Sequence, residues 1–294
     1  MDSHAISTLT ASIDSFPTLP TVVNRVMDIT ADPESSAEDL MHIIRPDQSL
    51  TTTILKMANS AFFGQMRKVS SLQKAIIVLG FSEVRNIILA KAVFNSFKNL
   101  NNGGEFDIRK HWEHSFVCGL VSQSIAEKLE QSCGDFFVAG LLHDIGRLLM
   151  HLALPSELSN IIKMTGHLRF MMFHMEEEKF GISHDEVGMR LLKRWFFPET
   201  LLTAVGYHHR PYEEKTHILF SRVVYVADRL THLLTLQENK EADKYLKRES
   251  IYPEIISIIQ SMGKEWNNVD LDGFLLELSQ IKKEEAGTFD LFFS

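Results

Sequence analysis

The chain has 294 residues, 45% of them hydrophobic and 23% charged, which is ample for a packed core and excludes a largely disordered protein. Its formal net charge of −8 argues against a general nucleic-acid coat, because neutralising phosphates takes a basic surface. There is no run of about 18 apolar residues and no basic-then-apolar leader in MDSHAISTLTAS. With only two cysteines, Cys118 and Cys133, the expectation is a reduced, cytoplasmic protein without a membrane span.

Apolar residues follow helical spacing almost throughout. After a proline start, PTLPTVVNRVMDITAD sets Val22, Val23, Val26 and Ile29 on one face. SSAEDLMHIIRPD opens with a capping-box-like signal, Ser35 or Ser36 followed by acidic residues, and stops before Pro46. DQSLTTTILKMANSAFFG carries Leu50, Ile54, Leu55 and Met57 and is expected to end at Gly64. SSLQKAIIVLG and FSEVRNIILAKAVFNSF give two more helices broken at Gly80, and the polar KNLNNGGEFD reads as a linker. Beyond it, IRKHWEHSFVCGLVSQSIAEKLEQ predicts a long amphipathic helix, and DFFVAGLLHDIGRLLMHLAL a single helix ending at Pro155. SHDEVGMRLLKRWFF and PETLLTAVGYHHR pair around Pro198, and THILFSRVVYVADRLTHLLTL follows. The charged QENKEADKYLKRES is expected to be solvated, and weaker helices lie near Pro253 and Asp272. The fold class is all-α, divided into an N-terminal helical lobe (1–100), a helical core (101–235) and a C-terminal extension (236–294).

Inside the apolar run FVAGLLHDIGRLLM, His143 and Asp144 are adjacent. An unpartnered buried polar group costs about 2–7 kcal/mol, and an unpartnered carboxylate more, so either core hydrogen bonds or a metal ion must satisfy them. Other groups able to bind a metal are His114 in HWEHS, His184 in GISHDEVG, His208 and His209 in GYHHRP, and Asp228 in YVADRL. Imidazoles with carboxylates and no thiolate suit iron, manganese, zinc, nickel or cobalt, and iron or manganese better than a structural zinc; one or two divalent ions are expected. Adjacent helical residues diverge by about 100°, so His143 and Asp144 can serve neighbouring ions, or Asp144 can bridge them. Arg147, one turn on, is placed to bind a phosphate oxygen.

The histidine, the His-Asp doublet and the distal aspartate resemble the signature of the HD superfamily of metal-dependent phosphohydrolases. His184, His208 and His209 resemble the longer ligand set of its HD-GYP branch. FPTLPTVVNRVMDITADPESSAEDLMHIIRPDQSLTTTILKMANSAFFG with VSSLQKAIIVLG, and later FGISHDEVGMRLLKRWFFPETLLTAVGYHHRP, resemble the start and end of an HDOD domain over roughly residues 15–235. The resemblance implies an HD-type helical core with an added N-terminal lobe. It also implies metal ligands at His114, His143, Asp144, His184, His208, His209 and Asp228, and catalytic roles for Asp144 and Arg147. Two departures stand out. HHRPYEEKTH replaces the Gly-Tyr-Pro segment of the HD-GYP branch, so cyclic-dinucleotide hydrolysis is not implied. Arg147 stands where many active relatives carry lysine.

Two functions follow as expectations: metal-dependent hydrolysis of a nucleotide or other phosphoester, or a catalytically silent regulatory module. The second would act on a signalling protein or a second copy of the chain (a homodimer) through the N-terminal lobe. AEDLMHIIRPDQSLTTTILKMANS has helix–turn–helix spacing, but its second helix offers only Lys56 as a base, so nucleic acid is not expected as a partner. The Asn59-Ser60 pair, which matches the NS of the HDOD family, is expected to fix a turn or cap the following segment. His111 reads as a surface or supporting residue, and His151, His167, His174, His217 and His232 as ordinary. Glu176 and Glu178 precede His184 and could reach the site, but the charged run MEEEK reads as a solvated face, and Cys118 reads as a small buried residue.

Overall fold

The computed structural model describes residues 3–32, 34–59, 68–100, 105–165, 172–238, 248–263 and 269–293. Among these the regular elements are helices: α1 (Ser3–Ser15), α2 (Thr21–Ala31), α3 (Ala37–Ile44), α4 (Gln48–Ala58), α5 (Leu72–Leu79), α6 (Phe81–Phe97), α7 (Ile108–Lys128), α8 (Cys133–Leu142) and α9 (Ile145–Ala153). They continue with α10 (Pro155–Thr165), α11 (Met172–Phe180), α12 (His184–Arg194), α13 (Glu199–Tyr207), α14 (Ile218–Glu238), α15 (Arg248–Gln260), α16 (Leu271–Glu284) and α17 (Ala286–Phe293). Ser60, Gly64, residues 101–104 of the linker, His167 and residues 239–247 of the charged tract lie outside the described residues.

The chain divides into two compact units, Pro17–Asn99 with Ser279–Ser294, and Met1–Phe16 with Leu100–Leu278. In the first, local chemistry sets the helix ends. Ser36, rather than Ser35, caps α3: its Oγ accepts from Asp39 N at 3.2 Å while Asp39 Oδ2 accepts from Ser36 N at 2.9 Å. Asp47 accepts from Leu50 N at 3.0 Å and starts α4 just past Pro46. Asn59 closes α4, donating to the Leu55 and Val69 carbonyls at 2.7 and 2.8 Å and accepting from Val69 N at 2.8 Å. It thereby pins the segment ahead of α5. Gly80, at φ 82°, separates α5 from α6 in a backbone region that favours glycine. Helix α6 is buried on most faces, and α17 packs on α4 and α6, with Phe293 edge-on to Phe94 at 4.8 Å.

In the second unit α7 pairs with α8 and α14, α9 with α12, and α12 with α13. Helix α1 belongs here, not with the residues that follow it: Leu9 and Ile13 are buried, α1 packs on α9 and α12, and Phe16 meets Trp195 at 5.9 Å. A division at residue 100 by chain order separates this apolar stripe from its partners. The stretch Cys133–Ala153 is long and apolar enough to cross a membrane, with mean hydropathy 1.3, but 89% of its window is buried inside the protein. It is core.

That stretch is also not one helix. Helix α8 stops at Leu142, Asp144 adopts φ −97° and ψ 11°, and α9 starts at Ile145. The apolar pattern runs straight through the break, so periodicity conceals it. His143 Nδ1 donates to the Gly140 carbonyl at 2.7 Å, taking up an acceptor of the last turn of α8.

Candidate metal centre

The break swings the His143–Asp144 doublet between four other elements, α7, α12, α13 and α14. His114 from α7 and Asp228 from α14 meet at 3.0 Å, Nε2 to Oδ1. His143 Nε2 lies 3.6 Å from that same Asp228 oxygen and 3.5 Å from Asp144 Oδ2. Asp144 Oδ1 faces His184 Nε2 at 3.1 Å and His208 Nε2 at 3.7 Å, and His209 Nε2 is 2.9 Å from His184 Nε2. The seven residues expected to share a site therefore lie together, with Asp144 between two histidine groups. A glycine makes this approach possible: a Cβ at Gly146 would fall 1.9 Å from the His184 carbonyl, so α9 could not lie so close to the start of α12.

Three of the imidazoles are oriented the same way. His143 Nδ1 donates to Gly140 O and His208 Nδ1 to Val205 O, both at 2.7 Å, each histidine following the last residue of its helix. A carbonyl can only accept, so these Nδ1 atoms carry the hydrogens and neutral rings present bare Nε2 atoms inward. His184 Nδ1 is held by Glu176 Oε2 at 2.5 Å. The inward atoms His143 Nε2, His208 Nε2 and Asp144 Oδ1 are buried and make no hydrogen bond, although they sit within 3.1–3.7 Å of other donor atoms. Lone pairs of imidazole and carboxylate turned on one another call for a cation between them. Outward Nδ1 donation with convergent Nε2 is how metal-binding histidines are oriented, and the donor set fits a divalent ion.

Two groups of donor atoms lie within 4.8 Å of one another and share Asp144: Asp144 with His184, His208 and His209, and Asp144 with His114 and His143. The charges are correspondingly coupled. Burial pushes the Asp144 carboxyl up, but Arg147 and then His143 hold it well below the usual carboxylate range. Burial likewise opposes ionisation of Asp228, and His232 and His114 outweigh it. His143 is held well above its ordinary value by Asp144 against the effect of burial. His184, pushed down by burial and Arg147, is raised by Glu176 and Asp144 from 6.5 to about 9. Burial keeps His208 and His209 low, helped at His209 by the positive charge of His208 and His184. Without a metal, protons do part of a cation's task.

Three contributors are not what the sequence suggests. Glu176 is fully buried, not solvated; its Oε2 accepts from both the backbone N and Nδ1 of His184, at 2.8 and 2.5 Å. No spacing rule joins it to His184, because the turn between α11 and α12 makes the contact. His232 is not incidental: its Nε2 lies 3.3 Å from Asp228 Oδ1, and with His114 and Asp228 it forms a third donor group. Its i,i+4 spacing from Asp228 was the available signal. Arg210, next to His209, donates to Asp185 at 3.1 Å and Glu177 at 3.2 Å and lies 5.1 Å over the Phe173 ring. Asp185, the second member of a His-Asp pair, is thus turned away from the centre. Arg147 Nη1 donates to Asp144 Oδ2 at 2.5 Å, both side chains being buried. His111 is buried, 5.5 Å from the Phe106 ring, and His151 stacks on that ring at 4.7 Å; neither belongs to the donor groups.

The profile of the HDOD domain matches residues 16–211, well over half of the sequence. The chain belongs to the HDOD family. A curated protein of Treponema pallidum (strain Nichols) is 23% identical over 200 residues, 67% of this chain and 38% of that protein, so the chain spans about two fifths of that relative's length. Among solved structures, an HDOD domain protein of unknown function from Geobacter sulfurreducens is 25% identical, with a TM-score of 0.70 over 95% of this chain and 98% of its own. A provisionally assigned phosphohydrolase from Shewanella amazonensis SB2B is 21% identical, with a TM-score of 0.71 over 97% of this chain and 98% of its own. That second likeness shows the helical fold.

Proposed function

We propose that this HDOD protein is a signal-transduction module whose second unit holds one or two divalent metal ions, iron or manganese, and that phosphoester hydrolysis is the reaction its donor set supports best. The observation that carries the reading is the convergence of outward-tied imidazoles on Asp144, with Nε2 and carboxylate atoms left unpaired in the core. Asp144, His184, His208 and His209 would hold an ion on one side, and His114, His143 and Asp228 on the other. A divalent ion bound there supplies Lewis acidity toward a phosphoryl oxygen and toward water. The chain's own part is to fix the donors: Glu176 aims His184, the helix ends aim His143 and His208, and the close packing at Gly146 excludes solvent. Arg147 retains a buried Nε without a partner, a donor suited to a phosphate oxygen of a nucleotide or related ligand.

A second reading is favoured by burial. His143 and His184 are 0% exposed and Asp144 and His208 are 1%, so a substrate reaches them only if the unit opens. On that reading the centre is a structural or sensing element. The first unit then carries the output to a protein partner or a second copy, and Ile77 on α5, 69% exposed, is the kind of apolar surface such contacts use. Elemental analysis of gently purified protein, followed by a panel of nucleotide, cyclic-dinucleotide and simple phosphoester substrates, separates the two. Stoichiometric metal with hydrolysis lost in Asp144→Ala supports the enzyme. Metal-replete protein inert on the whole panel supports the silent module, and failure to take up any metal refutes both.

A further inference from the structure

We propose that Arg147 stands in for a second metal ion, so that the centre binds a single ion on the Oδ1 side of Asp144. The inference rests on the metal-centre reading above. The two oxygens of Asp144 have different partners. Oδ2 accepts from Arg147 Nη1 at 2.5 Å, with the two side chains 3% and 1% exposed. Oδ1 looks the other way, toward His184 and His208, and makes no hydrogen bond. A carboxylate that bridges two ions through both of its oxygens offers one oxygen to each. Here one oxygen is already held by a cation, and an arginine does not give up its charge by losing a proton.

The far side of the cluster is also provided for. Asp228 Oδ1 accepts from His114 Nε2 at 3.0 Å and has His232 Nε2 at 3.3 Å, so that carboxylate has imidazole partners of its own. Of the inward-facing unpaired atoms, Asp144 Oδ1 and His208 Nε2 belong to the group of Asp144, His184, His208 and His209, whose donor atoms lie within 4.8 Å of one another, while His143 Nε2 lies 3.5 Å from the Asp144 oxygen that Arg147 already neutralises and 3.6 Å from Asp228 Oδ1. Admitting a second ion at Oδ2 would detach Arg147 and leave a buried guanidinium without its counter-charge, which is strongly unfavourable. The pair is local, three residues apart at the start of α9, so no rearrangement of distant helices is needed to keep it in place.

The test uses the full chain, stripped with a chelator and titrated with Mn2+ alone, read by native mass spectrometry and electron paramagnetic resonance. Wild type is expected to take up one ion with the six-line spectrum of an isolated Mn2+. Arg147→Gln, which removes the positive charge from Oδ2, is expected to take up a second ion and to show the spectrum of an exchange-coupled pair. Two coupled ions in wild type, or a single ion in a folded Arg147→Gln, would overturn the inference while leaving the metal-centre reading intact. No uptake by wild type would overturn both. Should Arg147→Gln fail to fold, the wild-type spectrum decides alone: an isolated ion upholds the inference and a coupled pair ends it.

Discussion

In the unit formed by α2–α6 and α17, polar side chains act at helix ends: Ser36 and Asp39 cap α3, Asp47 caps α4, and Asn59 ties α4 to Val69. In the other unit the polar side chains sit in the middle of the core, where His143, Asp144, His184, His208 and Asp228 are all less than 5% exposed. Helix ends matter there too, but in reverse. His143 and His208 spend one ring nitrogen on a terminal carbonyl so that the other points inward. The first arrangement lowers the free energy of the fold by satisfying groups that water could also satisfy. The second gathers groups that repel or remain unpaired unless a cation joins them, and is retained against stability. Perturbations should therefore separate the units by kind as well as by size.

The largest effect is expected at Gly146. Gly146→Ala places a methyl group against the His184 backbone, which cannot move aside as a flexible side chain would. The expected cost is about 3 kcal/mol or more, with loss of metal uptake, because α9 and α12 no longer bring Asp144 to His184. Urea unfolding and metal stoichiometry measured together check this. Wild-type stability with wild-type uptake would show that the two helices need not approach so closely.

Next comes Glu176→Gln. The amide keeps the size of the carboxylate but loses its charge, so His184 is held less firmly and made less basic. Changes of this kind typically lower metal affinity by about 10–100-fold. Titration with Mn2+ reads the affinity, and circular dichroism checks that the helices persist. Unchanged affinity would remove the aiming role of Glu176.

These two residues also mark where sequence reading succeeds and where it stops. Helical spacing finds the helices, and the His-Asp doublet with its distant histidines and Asp228 names the groups that converge. The break after Leu142 is hidden because the apolar pattern continues through it; the Asp144 backbone, at φ −97° and ψ 11°, reveals it. Glu176 is hidden because its neighbours are charged and its contact crosses a turn. His232 was within reach, one helical turn from Asp228. The place of α1 depends on burial of Leu9 and Ile13 against helices more than a hundred residues away, which no local window contains.

A smaller effect is expected from pH on the metal-free protein. The folded-state value of His184 is raised from 6.5 to about 9, and that of His143 is raised as well. A raised value means that the stabilisation is fully present below pH 6.5 and is lost as pH climbs toward 9. His208 and His209, held low, act in the opposite direction and only below 6.5. Between pH 6.5 and 9 the melting temperature of the chelated protein should therefore fall, by about 2–4 °C for each kcal/mol lost in a unit of this size. With Mn2+ present the trend should reverse, since metal and protons compete for the same nitrogens and the metal gains as protons leave. Parallel falling curves with and without metal would place the metal elsewhere.

The smallest effect belongs to the other unit and calibrates the comparison. Ser36 Oγ satisfies Asp39 N, one of the free amide groups at the start of α3, and the reciprocal bond from Ser36 N to Asp39 Oδ2 completes the box. Ser36→Ala removes the side-chain acceptor and should cost about 0.5–2 kcal/mol, whereas Ser36→Gly should cost only a few tenths, about 0.3 kcal/mol, because glycine is tolerated at this position. The cap is exposed, so water partly replaces the lost bond and no buried group is orphaned. Neither variant touches a donor, so Mn2+ affinity should match wild type in both. Urea unfolding of the three proteins reads the order Ser36→Ala below Ser36→Gly below wild type. A drop in metal affinity on removing this hydroxyl would mean that the polar groups of the two units are not as separate in purpose as their placement implies, and that the capping unit takes part in holding the centre.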